Sequence, residues 1–263
     1  MSKILITSGC SFSECIGIHT NTWPRHLYNT LQSYNFTKHI SSAMGSQGNG
    51  LISRGIIYNV SKALEQYHHD DILVGVMWSD SNRMDYRCSN PKLLSWGTKN
   101  TDGWIENPTS FVNNAEKHWV ILNHAWINNT EAAAYYKNFF DHVGMSIYSI
   151  EHILRTQYYL KTKNVKYFFT NFVDNNIIDS ESNDAKIFKD ELDYLFNEID
   201  QSQYLPVNSE HSWLYNHSKT KEQFIKNHMY NNRLSMWIHP NSEQHQEFTD
   251  QVILPWLLDK KYI

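Results

Sequence analysis

The chain has 263 residues, with 23 Lys+Arg against 27 Asp+Glu and a formal net charge of −4 at pH 7 when histidine is neutral. No block of like charge interrupts it, so the composition argues against a nucleic-acid partner and against an anionic membrane surface. Cys10, Cys15 and Cys88 are an odd number without paired metal-ligand spacing, which argues against a disulfide framework and for a reducing compartment or free thiols.

Residues 3–7 form an apolar strand that runs into the small-residue turn of "SGCSFSE", and a side chain exposed there stands at the carboxyl edge of a sheet. Ser11 is therefore a candidate nucleophile; the plainer reading is that Ser11 or Ser13 caps a following helix. A helix is expected over 22–34, opened by Thr22 with Pro24 in its first turn, and a short strand over 37–42. The glycine-rich turn "AMGSQGNG" leads into a helix from about Leu51 to Tyr67 with apolar residues recurring at three and four. The continuous apolar run at 70–78, "DDILVGVMW", has the character of a buried parallel strand.

After Ser79 the periodicity is lost, and an aromatic-rich insertion at about 84–130 is read as a lid or a partner surface. A long helix is expected over 131–163 with a break at Gly144, then a buried strand in "VKYFFTNF" and an amphipathic helix over 184–199. Residues 201–234 show no clear pattern. The turn His239-Pro240-Asn241 opens a final helix capped near Asn241 or Ser242, with His245 one turn in and read as a surface residue. Strands alternating with helices of this length imply a three-layer α/β/α sandwich with a parallel, flavodoxin-like central sheet, one domain over 1–263. In such a sheet the turns carrying Ser11, Gly45, Ser79 and His239 converge on one edge.

No signal-peptide core precedes Ser8 and no window approaches a transmembrane span, so a cytoplasmic location is expected. The histidines, including His68 and His69, lack the spacing of a metal site, and neither a metal nor any other cofactor is expected. The 9 Trp, 16 Tyr and 12 Phe concentrate between Trp78 and Tyr159; large flat rings fill cores and also suit sugar contact.

The ordered set "GCSFS", "WP", "GSQGNG" with a following arginine, "WSDSNR" and "HPNSEQH" resembles the SGNH, or GDSL-like, hydrolase superfamily, and in particular SGNH-like proteins of phage and bacterial genomes. The resemblance covers the first 90 residues and the last 30. It implies Ser11 as nucleophile, His239 as base, and an oxyanion site made by the Ser11 amide, Gly45 (or Gly48) and the third-motif position, which here is Ser79 followed by Asp80. The position of the family's acid, three residues before the histidine, is Met236, so a dyad, a backbone carbonyl, Asp80 or Glu243 is left to orient the imidazole. Arg83 reads either as an ion-pair residue or as a clamp for a substrate carboxylate.

The function so implied is a serine esterase acting on a small acyl ester or an acylated carbohydrate, with the virion or host cytoplasm as its place if a phage encodes it. An acyltransferase using the same serine is the nearest alternative. A catalytically degenerate binding or structural protein that keeps the fold is the other, because a fold does not dictate a function.

Overall fold

The computed structural model describes residues 2–14, 21–87, 119–122, 130–172, 187–207, 209–210, 212–213, 229–230, 233–234 and 239–263. Its centre is four parallel strands: β1 (Lys3–Ser8), β2 (Phe36–Ser41), β3 (Ile72–Trp78) and, later in the chain, β6 (Lys166–Asn171), in the order β2-β1-β3-β6. All seven residues of β3 are buried, since it lies inside the sheet and both its faces are covered. Beyond β6, Tyr204 makes a lone parallel bridge to Phe169, at the place of the next strand in a flavodoxin-like order.

Side chains alternate across the sheet and build a core on each face. On one face Ile4, Ile6, Val74, Val76 and Trp78 pack against α2 (Asn49–Ala63) and, further along, α4 (His142–Thr162). On the other, Leu5, Leu73, Met77 and Phe168 meet α1 (Trp23–Leu31) and the C-terminal helices α6 (Ser242–Phe248) and α7 (Leu254–Asp259). The expected α/β/α layering is what the chain adopts. Between α6 and α7 the helix widens into a π-turn at Thr249–Ile253, just before Pro255, which has no amide to donate back along the helix.

Gly75 lets Trp23 of α1 lie directly on the sheet. A Cβ there would stand 2.6 Å from Phe168 Cζ and 3.1 Å from the Trp23 ring. Gly75→Ala is therefore expected to destabilise the fold by about 1–3 kcal/mol through overpacking, read as a lower urea midpoint with an unchanged slope.

Two sequence expectations are corrected. The helix expected over 131–163 is two, α3 (Thr130–Asn138) and α4, and the break falls before Gly144, because the Asp141 carboxylate accepts the Gly144 amide at 2.5 Å and caps α4. Within the insertion, β4 (Met84–Arg87) pairs antiparallel with β5 (Trp119–Leu122); strands this short leave no periodicity to read. Residues 88–118 and 123–129 of the insertion lie outside the described residues. α5 (Lys189–Asn197) and the two-residue strands β7 (Met229–Tyr230) and β8 (Arg233–Leu234) complete the described strands and α-helices.

Candidate active site

β2 and β3 flank β1 on opposite sides, so the chain leaving β1 emerges where the winding of the sheet reverses, a position at which open α/β sheets form clefts. The turn is tight: the Ser13 amide donates to the Cys10 carbonyl at 2.9 Å. Glycine is required at position 9, where a Cβ would fall 2.3 Å from Ser13 Oγ. Ser13 is buried and accepts the Trp23 indole N–H at 2.9 Å, which leaves Ser11 as the partly buried hydroxyl at the edge.

His239 arrives there from the other end of the chain, with Nε2 2.6 Å from Ser11 Oγ. Its approach is set two residues later by a capping box at the start of α6, where Asn241 Oδ1 accepts the Gln244 amide and Gln244 Oε1 accepts the Asn241 amide, each at 2.9 Å. Asn241 thus caps the helix, as the plainer reading held, and the same cap helps place the imidazole. The ring leans on Phe12 at 5.2 Å, and Phe12 meets Phe172 edge-on at 5.2 Å. With Nε2 unprotonated, Ser11 donates to it, which is the arrangement that activates a hydroxyl.

The second motif is stitched to the first by Gln47, whose side-chain amide donates to the carbonyls of Gly9 (2.5 Å) and Ser42 (3.0 Å). Gly45 sits buried in the turn between them, beside Met44, whose amide bonds the Gly9 carbonyl at 3.2 Å. Asn49 joins this turn to the end of β3: its Oδ1 accepts the Ser79 amide at 2.7 Å and its Nδ2 donates to the Ser79 carbonyl at 3.0 Å. The Ser79 hydroxyl accepts from Arg83 Nη1 at 2.8 Å. Ser79 is therefore a tethered residue whose amide is already engaged. Gly48, the alternative to Gly45, has its amide donating to Asp85 Oδ1 at 2.8 Å.

Asp80 Oδ1 accepts the Asn82 amide at 2.9 Å, and Glu243 is exposed in the first turn of α6. Met236 lies outside the described residues. His68, His69 and Asp70 bring ligand-type atoms within 4.8 Å of one another, in a turn where His68 and Asp70 are exposed and an Asp70 carboxylate oxygen lies 3.4 Å from Nδ1 of each imidazole.

His245 is corrected. It is 2% exposed, its Nδ1 lies 2.7 Å from Oε1 of the fully buried Glu210, and it faces the edge of Phe12. Burial pushes the Glu210 carboxyl above its ordinary range while the imidazole opposes the shift. Residues 201–234 carry no periodicity, so no sequence signal marks Glu210; Gln47 and Asn49 stand in a quoted motif as the polar residues between its glycines.

Asp85 is the other carboxylate that pattern reading passes over. It accepts the amides of Gly48 and Leu51, each at 2.8 Å, and so closes the start of α2. Desolvation raises its pKa from 3.8 to about 6, against the pull of those amides, Arg54 and Arg83. The folded state then binds more protons than the unfolded chain between those values, so this group makes stability fall as pH rises from 3.8 to about 6. Asp85→Asn is expected to remove that slope, gaining on the parent as pH rises through the window in urea unfolding; parallel curves would sink the assignment.

No family model matches the chain, and no curated protein matches it. Among solved structures it is similar to TesA, with a TM-score of 0.43 and 8% identity over 99% of this chain and 100% of that one. It is also similar to the protein YxiM of Bacillus subtilis, with a TM-score of 0.47 and 14% identity over 99% of this chain, which spans 57% of YxiM. Among the described residues no helix is long and apolar enough to cross a membrane.

Proposed function

We propose that the chain is a serine ester hydrolase of the SGNH type, with Ser11 as nucleophile and His239 as base, acting on short acyl esters. The observation that supports this reading is the 2.6 Å approach of Ser11 Oγ to His239 Nε2 between residues 228 apart in sequence, at the edge of the sheet where ligand clefts form. His239 takes the Ser11 proton as Oγ adds to the ester carbonyl. The tetrahedral oxyanion forms near the Ser11 amide and the Gly45 turn. His239 then protonates the departing alkoxide, and water, activated by the same imidazole, hydrolyses the acyl-serine. An acceptor alcohol in place of water would make the same intermediate serve acyl transfer.

The third-motif position favours a second reading, a binding protein that keeps the fold without full oxyanion stabilisation, because the Ser79 hydroxyl has a shorter reach than an asparagine amide and is held by Arg83. Turnover of short-chain p-nitrophenyl esters, with a fluorophosphonate label mapped by mass spectrometry, separates the two. The esterase reading expects turnover and a label on Ser11. A folded protein that neither turns over ester nor takes the label is the binding protein.

A further inference from the structure

Beside Arg83 lies a cavity of about 350 Å³, a size suited to a small ligand. Its wall carries the guanidinium groups of Arg54 and Arg83 and the imidazole of His152; Asp85 is the one carboxylate among the described lining residues. That carboxylate is committed to the Gly48 and Leu51 amides. A third guanidinium, Arg155, stands behind the wall, its Nε donating to Ser53 Oγ at 3.1 Å. Burial, Arg155 and Arg54 together depress the His152 pKa to about 4, so near neutral pH the imidazole is an uncharged hydrogen-bond partner among cations.

A relay of side-chain contacts links the Arg83 wall of the cavity to the candidate active site. The Arg83 guanidinium lies over the Phe172 ring at 4.8 Å; Phe172 meets Phe12 and Phe12 meets His239, each at 5.2 Å. An excess of guanidinium over carboxylate in a recess of this size selects an oxyanion, since the planar fork matches carboxylate and phosphate oxygens.

We propose that this cavity binds a carboxylate or phosphate group carried by the substrate, so that the preferred esters are anionic. The substrate half of this proposal rests on the esterase reading; the anion site does not.

The test has two arms. In the first, monoesters of p-nitrophenol with succinate, glutarate, adipate and suberate are compared with neutral acyl esters of equal chain length. The charged member of the best pair is expected to have about tenfold higher kcat/KM, the scale of a charged hydrogen bond. Arg54→Met should bring the ratio towards one, Arg54→Lys should keep part of it, and Lys62→Met, an exposed change on the same helix, should leave it alone; melting curves verify folding. In the second arm, glutarate and inorganic phosphate are titrated calorimetrically into Ser11→Ala protein with and without Arg54→Met. Binding of glutarate alone identifies a carboxylate site, and binding of phosphate alone a phosphate site.

Binding that Arg54→Met abolishes, in a protein whose Ser11 form turns over no ester, upholds the anion site and removes the esterase reading. A ratio of one across the series in an active enzyme, no binding of either anion, or binding that Arg54→Met leaves intact overturns the proposal.

Discussion

Ser11→Ala is expected to lower kcat/KM for short p-nitrophenyl esters by about 10,000-fold, leaving the melting temperature near that of the parent. The side chain is small, partly buried and held by one shown hydrogen bond to His239, so its loss opens no core cavity. All the loss should then fall on chemistry. His239→Ala should cost nearly as much, and the double variant little more than either single one, because nucleophile and base act as a unit. Additive losses would mean two separate functions. Full activity in a folded Ser11→Ala protein would remove the serine from the nucleophile role.

Glu210→Ala is expected to destabilise the protein by about 3–5 kcal/mol, because it strips the partner from a histidine buried against the core. Glu210 is 0% and His245 2% exposed, and they meet at 2.7 Å in a region packed by Phe12, Trp213 and Phe248. Neither polar group has water to fall back on. Replacing both residues by leucine should cost less than removing Glu210 alone, since the expense of a broken buried pair is largely that of the stranded partner. Urea unfolding of the single and double variants decides it; a Glu210→Ala midpoint equal to the parent's would show that the pair does not support the fold. His245→Ala should lose stability by the same route. Its effect on turnover must therefore be read at a temperature where the variant is folded, and an undiminished rate there keeps the role of base with His239.

Much of the scaffold is legible in the chain. The apolar run at 72–78 is unbroken because β3 is covered on both faces, and Pro24 stands at the start of α1 because its missing amide would have no helical partner there. The loss of pattern after Ser79 is legible too, but not the β4–β5 pair inside it. At the site, Ser11 and His239 are marked by their places after a strand and before a helix. The condition of Ser79 is not: only the partner Asn49, thirty residues earlier, turns its amide inward.

What the sequence determined by itself is what depends on neighbours a few residues away: strand and helix period, the glycine required at position 9, the Asn241–Gln244 cap, and hence the sheet edge at which a hydroxyl and an imidazole are presented. Only the tertiary structure decided which polar groups meet. It brings Ser11 to His239 across 228 residues, closes the start of α2 with Asp85, and buries His245 against Glu210, in a stretch without period. The physical reason is that a polar side chain excluded from water must find a partner wherever packing places one, and that partner's distance along the chain leaves no trace in local spacing.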